Sequence, residues 1–231
     1  MPMRERPSPN HGPRPAPGTV DMLLLHYTGM PSAAAALDRL CDPAAEVSAH
    51  YLIEEDGTVW RLVDEMRRAW HAGRAVWAGE RDINGRSIGI ELANPGHEHG
   101  YRPFPEAQIA ALESLACGIL ARHAIPPVRV LGHSDVAPRR KEDPGELFPW
   151  PRLAAKGIGK WPDFAAPTAV DPAPEAVRRA LARIGYEVED GGEAAMRAVV
   201  TAFQRHWRPE RCDGALDEET ARRIFVLADG P

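Results

Sequence analysis

The chain has 231 residues, of which 44% are hydrophobic and 26% charged, and it carries a formal net charge of −5. These proportions are typical of a globular protein and exclude a wholly disordered chain, a collagen and a coiled coil. The acidic balance gives no global attraction to nucleic acid, and no apolar run approaches the roughly 20 residues that span a bilayer. The length predicts one main domain with a smaller appendage.

The amino-terminal residues 1–18 are rich in proline, glycine and arginine. This composition predicts a disordered tail, and because the tail has no apolar stretch it does not fit a signal peptide. Cys41, Cys117 and Cys212 are an odd set without CxxC spacing, which predicts small buried residues rather than a structural zinc site or a disulfide scaffold. Both observations favour a cytoplasmic location.

Between residues 20 and 153, short apolar runs alternate with helical patterns, and this alternation predicts an α/β layer. The predicted strands are 20–25, 51–53, 58–60, 87–92 and 128–131. The second and third of these flank an Asp-Gly turn and therefore predict a hairpin. The predicted helices are 33–40, which Ser32 caps, and the long amphipathic segment 105–123.

The composition changes after Leu153. Residues 157–173, rich in alanine and proline, predict a linker. Three helical patterns follow, at 175–184, 193–207 and 216–227. They predict a three-helix bundle of about 55 residues, a size that folds alone only marginally. The predicted organisation is a tail at 1–18, a main domain at 19–156, a linker at 157–173 and a helical domain at 174–231.

Two histidines lie just past the ends of predicted strands, and a carboxylate lies shortly after the second of them. These residues are His26, His133 and Asp143. Sites in α/β sheets are built at the carboxyl ends of strands, and two histidines with one carboxylate suffice for an open zinc site with water as the fourth ligand. Zinc lowers the pKa of such a water to about 7. Glu91, near the end of the strand 87–92, is a candidate general base.

Lys141 lies two residues before Asp143, in a chain with 28 basic residues of which only three are lysines. This choice indicates a position that needs a compact ammonium group. Each candidate also has an ordinary explanation. The two histidines can be hydrogen-bonding residues, Glu91 a solvated carboxylate, and Lys141 a counter-charge to Asp143 or a solvent-facing side chain. Spacing alone does not decide, because His26 and His133 lie far apart in the chain.

Six segments occur in one order along the chain: LLLHYTGM (23–30), SAHYLIEEDGTVWRLV (48–63), AWHAG (69–73), SIGIELANPG (87–96), YRPFPEAQ (101–108) and LGHSDVAPRRKEDPG (131–145). Together they resemble the zinc-dependent N-acetylmuramoyl-L-alanine amidases of the type 2 amidase, or peptidoglycan-recognition, family. The resemblance implies a mixed central sheet flanked by helices. It further implies a Zn²⁺ ion bound by His26, His133 and Asp143. Glu91 would then be the general base, and Lys141 would stabilise the oxyanion.

The C-terminal segment resembles the small three-helix peptidoglycan-binding domain, through VRRALARIGY, AVVTAFQRHW and CDGALDEETARRIF. The two resemblances imply peptidoglycan or a muropeptide as the substrate, and hydrolysis of the amide bond between N-acetylmuramic acid and L-alanine. A wall-binding unit favours the periplasm or the cell wall as an alternative to the cytoplasm. Nothing in the sequence points to a protein partner.

Two other functions stay open at this point. A binding module of the same fold would have lost a ligand or the base, and a different zinc hydrolase would release acetate or cleave between amino acids. Four further histidines are predicted to line or support the site rather than to bind zinc. These are His50 and His71, whose motifs match the family, and His97 and His99, whose Pro-Gly context predicts the rim of a groove.

Overall fold

The structure, a computed structural model, describes residues 3–15, 20–166, 168–171, 173–188 and 192–230. Its strands are β1 (Met3–Glu5), β2 (His11–Pro13), β3 (Met22–Tyr27), β4 (Tyr51–Ile53), β5 (Val59–Arg61), β6 (Arg67–Ala69), β7 (Ser87–Leu92) and β8 (Val130–Gly132). Its helices are α1 (Ala33–Cys41), α2 (Ile83–Arg86), α3 (Gly96–His99), α4 (Glu106–Arg122), α5 (His133–Val136), α6 (Trp150–Ala154), α7 (Pro174–Ile184), α8 (Gly192–Trp207) and α9 (Glu218–Asp229), with 3₁₀ turns at Pro43–Ala45 and Pro127–Arg129. None of the described helices is long and apolar enough to cross a membrane.

A mixed six-stranded sheet has the strand order β1-β5-β4-β7-β3-β8. β3 lies between β7 and β8 and is parallel to both, and β4 is parallel to β7. β5 is antiparallel to β4, as the predicted hairpin requires, and β1 is parallel to β5. β2 and β6 form a separate antiparallel pair. The prediction of a mixed central sheet flanked by helices is confirmed.

Both faces of the central strand β3 are covered, which explains why its first four residues are all apolar. Leu23 and Leu25 pack with Leu112 of α4 in one buried cluster. Met22 and Leu24 point the other way and belong to a second cluster, which includes side chains of α7, α8 and α9. The sheet is therefore a layer between helices on both sides.

The predicted strands agree with observed ones to within two residues at each end. Two of the differences have a clear physical reason. β3 continues to Tyr27 because His26 is paired with Glu91 of β7. β8 begins only at Val130, because the residues before it form a 3₁₀ turn that starts at Pro127. Proline has no N–H to donate to a strand ladder, so the sheet pairing starts later than the apolar run.

The prediction of a disordered tail over residues 1–18 is wrong for residues 3–15. β1 pairs with β5 and β2 pairs with β6, so that this segment contributes to both sheets. The buried Asn10 amide donates to two backbone carbonyls at 2.8 Å each. Backbone pairing and polar side chains anchor the segment, whose buried residues are the polar Ser8 and Asn10. Residues 1–2 and 16–18 lie outside the described residues.

The helices α7, α8 and α9 form close to their predicted positions, but they pack onto the sheet. Phe203 of α8 belongs to the same buried cluster as Met22 and Leu24 of β3. The described part of the predicted linker 157–173 is packed as well. Ile158 is fully buried, and the ring of Trp161 stacks on that of Trp207. The domain boundaries and the linker 157–173 stay predictions.

Candidate active site

The three predicted ligands converge at the carboxyl ends of β3 and β8. His26 is the fifth residue of β3, His133 is the first residue of α5, and Asp143 follows in the loop beyond it. His26 Nδ1 lies 3.0 Å from His133 Nδ1 and 2.9 Å from Asp143 Oδ2. The distance from His133 Nδ1 to Asp143 Oδ2 is 3.0 Å. All three residues are buried, although as many as 117 positions of the chain separate them.

The local fold accounts for this convergence. β3 is hydrogen-bonded to β8 with Leu25 paired to Gly132, so the residues that follow them lie side by side at the sheet edge. The Ser134 N–H donates to the carbonyl oxygen of Asp143 at 2.9 Å. This bond holds the loop that carries the carboxylate against the turn that carries His133.

A chain of hydrogen bonds determines which nitrogen of His26 carries the proton. Ser87 Oγ donates to the Ile83 carbonyl at 2.6 Å, so it accepts from His71 Nε2, which lies 3.3 Å away. His71 is neutral, because burial and then the charge of His26 lower its pKa well below 6.5. His71 Nδ1 therefore accepts from His26 Nε2 at 3.1 Å. Consequently His26 Nδ1 presents a lone pair.

His133 is oriented by the backbone. Its Nε2 lies 2.9 Å from the Ala72 carbonyl oxygen, which only accepts, so Nε2 carries the proton and Nδ1 has the lone pair. Burial and the charge of His133 lower the pKa of His26 to about 4.

When both rings are neutral, three electron-pair donors face one another, His26 Nδ1, His133 Nδ1 and Asp143 Oδ2. Such a group is repulsive unless a cation lies at its centre, and two imidazoles with a carboxylate are ligands that suit Zn²⁺. Ligand atoms about 2.0–2.1 Å from a tetrahedral zinc lie about 3.3 Å apart, slightly more than the separations here. Of the side chains that the structure describes, only His26, His133 and Asp143 form a group that could hold a metal ion.

Glu91 lies beside this group, as its place in the strand predicts. The register of β3 and β7 pairs it with His26, so both side chains leave the same face of the sheet. Its Oε2 is buried and has no hydrogen-bond partner in the described part of the chain. Burial raises the pKa of Glu91 well above 4.5, the charge of Asp143 raises it further, and that of Lys141 opposes both. A carboxyl whose pKa is raised in this way is a stronger base than an ordinary glutamate and is suited to accept a proton.

A cavity of about 350 Å³ opens at these groups. The predicted catalytic residues Glu91 and Lys141 line it together with His133 and Asp143. Apolar and charged side chains share the rest of the wall, among them Met30, Val47, Trp70, Arg39 and Glu98. We call His26, His133 and Asp143 the metal group. Next to this group the cavity offers a surface that is partly apolar and partly polar, which suits a ligand with both kinds of parts.

His50 and His71 stand behind the metal group rather than in it. His71 contacts His26, and His50 accepts the Gly89 N–H at 2.9 Å, with its ring centroid 5.7 Å from that of His71. Sequence reasoning missed Arg14, whose guanidinium donates to the first carbonyl of β7 at 2.9 Å and lies 3.1 Å from His50 Nε2. No motif marked this arginine, because it lies in the segment interpreted as a tail.

His97 lies in the cavity wall. Its Nδ1 is 2.9 Å from the Tyr27 hydroxyl, and its Nε2 is 3.1 Å from Glu146 Oε2. His99 is exposed. Within the described ranges neither histidine belongs to a group that could hold a metal ion, and their place at the rim of a groove stays a prediction.

An open group of three ligands, with a buried carboxylate and a lysine on the same cavity, is the arrangement of a hydrolase that activates water at a metal. The sequence assigns the particular family. The family profile described as N-acetylmuramoyl-L-alanine amidase (Amidase_2) matches residues 16–146. The chain belongs to this family.

Known relatives agree with this assignment. The chain is 41% identical over 224 residues to the N-acetylmuramoyl-L-alanine amidase AmiD of Escherichia coli K12, which covers 87% of this chain and 79% of the relative. It is 34% identical over 167 residues to the 1,6-anhydro-N-acetylmuramyl-L-alanine amidase AmpD of Haemophilus influenzae, which covers 64% of this chain and 89% of the relative. The predicted enzyme class, N-acetylmuramoyl-L-alanine amidase, is confirmed.

A solved structure shows the same architecture over nearly the whole chain. It is the complex of AmiD from E. coli with the substrate anhydro-N-acetylmuramic acid-L-Ala-D-gamma-Glu-L-Lys. The TM-score is 0.81 at 39% sequence identity, and the match covers 97% of this chain and 92% of that one. The similarity therefore includes the C-terminal helices as well as the sheet.

Proposed function

We propose that this chain uses Zn²⁺ to hydrolyse the amide bond between N-acetylmuramic acid and L-alanine in muropeptides. The metal group carries the proposal, because two histidine nitrogens and a carboxylate oxygen, all of them atoms that bind zinc, face one another at about 3 Å. Membership of the amidase family supports the choice of bond. The ligand named in the AmiD complex supports the substrate class.

His26, His133 and Asp143 would hold the ion through the Nδ1 atoms and Oδ2. When bound, Zn²⁺ supplies a water of lowered pKa and a Lewis acid for the scissile carbonyl. The protein keeps the two Nδ1 atoms available, because each Nε2 donates to a fixed acceptor, His71 Nδ1 in one case and the Ala72 carbonyl in the other. These outer bonds also fix the directions of the two rings.

Glu91 carries the proton in the proposed reaction. Its carboxylate accepts a proton from the attacking water and returns it to the amide nitrogen as the bond to L-alanine breaks. The raised pKa of Glu91 favours the first transfer, and the basicity of the departing amine favours the second. Lys141 lines the same cavity, and its Nζ donates to the carbonyl oxygen as negative charge develops there. The products are a muramyl glycan and a free stem peptide.

Mass spectrometry of a digested soluble muropeptide tests this function. The expected products are the muramyl sugar and an intact stem peptide that begins with a free L-alanine amine. Release of acetate or cleavage within the peptide would identify a different zinc hydrolase, and binding without cleavage would identify a binding module.

Glu91→Gln provides the test of the proposed proton carrier. The amide is nearly isosteric with the carboxylate but cannot accept and return a proton. We expect the variant to keep its zinc and to lose about 10²–10⁴-fold in turnover. A wild-type rate in this variant, measured with the metal content checked, would exclude Glu91 from the role.

The C-terminal helices α7, α8 and α9 are further proposed to bind peptidoglycan, on the basis of their sequence resemblance. Co-sedimentation of the full chain with intact sacculi tests this, and the rates on sacculi and on soluble anhydromuropeptides show which substrate the enzyme prefers. The compartment, cytoplasmic or periplasmic, stays a prediction that cell fractionation would decide.

A further inference from the structure

The last turn of α8 contacts the two segments that carry the proposed metal ligands His133 and Asp143. His206 Nδ1 lies 2.7 Å from Asp135 Oδ2, and Asp135 is two residues beyond His133. Arg205 Nη2 donates to Glu142 Oε1 at 2.7 Å, and Glu142 directly precedes Asp143. Neither contact belongs to the catalytic groups described above. One helix end thus holds two neighbouring segments of the active site.

Asp135 is the centre of this contact. It is buried, and its Oδ2 accepts the Gly132 N–H at 2.8 Å, which closes the turn that begins with His133. Its Oδ1 accepts the Tyr186 hydroxyl at 2.6 Å. Two donors to this carboxylate, Tyr186 and His206, therefore come from the C-terminal helical segment. A buried carboxylate is stable only when such donors are in place, so the geometry of the turn depends on them.

The donor ring of His206 cannot easily turn away. It is buried and stacks on Trp150 of α6 with ring centroids 3.7 Å apart and an interplanar angle of 18°. On its other side it stacks on Trp207, at 3.8 Å and 4°. The ring is therefore clamped between an indole of the amidase region and an indole of its own helix, with Nδ1 aimed at Asp135.

We infer that His206 and Tyr186 are positioning residues for the metal group, and that the C-terminal helices are part of the active-site scaffold. The inference rests on the proposed function, because it concerns the ligands of the proposed zinc ion. Hydrogen bonds connect Asp135, through its turn, to both of the later ligands, His133 and Asp143. Asp135 holds the turn that bears His133, and the Ser134 N–H of that turn holds the backbone of Asp143.

Three variants of the full chain test the inference. His206→Leu and Tyr186→Phe each remove one donor to Asp135, whereas His206→Asn retains an amide N–H that can take the place of Nδ1. Zinc affinity is measured by competition with a chromogenic chelator, kcat and KM on a soluble muropeptide, and stability by thermal unfolding. We expect His206→Leu to weaken zinc binding about 10–100-fold and to lower kcat with KM little changed, and His206→Asn to restore most of both.

Ile224→Ala is the matched control. Ile224 of α9 is fully buried in the hydrophobic cluster that also contains Tyr186. Its truncation lowers stability without removing a donor to Asp135. We expect this variant to unfold at a lower temperature with its zinc affinity unchanged. Wild-type zinc affinity and kcat in folded His206→Leu would overturn the inference, as would an equal loss of zinc in Ile224→Ala. A wild-type chain that binds zinc without cleaving the amide would refute the proposed function alone, because the affinity measurements would still test the positioning role.

Discussion

Gly89 of β7 is the position at which a single added methyl group should most disturb the metal group. A Cβ built on Gly89 lies 2.5 Å from His71 Cγ and 2.6 Å from both Cδ2 and Nδ1 of the same ring. Since ordinary contact begins at 3.4 Å, the ring would have to move by about 0.9 Å, the difference between the two distances. His71 Nδ1 now lies 3.1 Å from His26 Nε2. We therefore expect Gly89→Ala to break the bond that orients His26.

Two measurable costs follow from this displacement. Overpacking of a filled interior typically costs about 1–3 kcal/mol of unfolding free energy. Loss of the partner that orients a metal-ligating histidine typically lowers metal affinity about 10–100-fold. Urea unfolding and competition with a chromogenic chelator measure the two quantities separately.

Gly118→Ala is the matched control for this substitution. Gly118 lies within α4, and an added Cβ would meet only the end of the flexible Arg122 side chain, at 3.2 Å. Because alanine is a better helix former than glycine by about 1 kcal/mol, we expect this variant to be slightly more stable, with unchanged zinc affinity.

A double-mutant cycle shows whether the effect passes through His71. In a His71→Ala background the obstructing ring is gone, so Gly89→Ala should then cost little. The reasoning would be refuted by wild-type zinc affinity in Gly89→Ala, or by a full additional loss when the substitution is made in the His71→Ala background.

Three other predictions concern the proposed oxyanion stabiliser, a ligand and the response to acid. Lys141→Ala should keep zinc and lower kcat by about 10²–10³-fold with a smaller rise in KM, because the carbonyl charge develops only in the transition state. Lys141→Arg should recover only part of this rate. If steady-state kinetics showed a wild-type rate for Lys141→Arg, Lys141 would be only a counter-charge for Asp143. His133→Ala should lose its zinc on dialysis, as metal analysis would show, because two ligands hold zinc poorly. Hydrogen bonds from Arg122, Tyr51 and His123 outweigh the effect of burial and lower the pKa of Glu65 from 4.5 to about 2. Because the folded pKa lies below the unfolded one, the resulting stabilisation of about 3 kcal/mol is full above about pH 4.5 and is lost as the pH falls toward 2. Urea unfolding at about pH 6 and pH 3 should therefore show a loss about 2 kcal/mol larger in the wild type than in Glu65→Gln, and equal losses would contradict the assignment.

The ligand set could be predicted because its signals are local. An apolar run that ends at a histidine marks the carboxyl end of a buried strand, and the family motifs then identify His26, His133 and Asp143 as one group. The hydrogen bonds that hold a proton on Nε2 of both rings could not be predicted in the same way. They depend on the Ala72 carbonyl and on the Ser87 hydroxyl, and neither residue type carries a chemical signal of its own.

The two ends of the chain were harder to predict, for different reasons. Hydropathy measures burial of apolar surface, and the segment around Asn10 docks by backbone pairing and polar bonds instead. For α7, α8 and α9 the apolar stripes predicted the helices, but they did not predict which part of the protein covers these stripes. A closed bundle and a bundle packed on Met22 and Leu24 require the same periodicity, so only the structure distinguishes the two.

The short strand β1 covers what would otherwise be an open edge of the six-stranded sheet. It pairs with β5, whose Val59 and Trp60 carry large apolar side chains. An unpaired edge of this kind readily recruits a strand from a second molecule, whereas β1 is only three residues long and bears the charges of Arg4 and Glu5. We therefore expect protein from which residues 3–5 have been removed by proteolysis to self-associate through the exposed edge of β5.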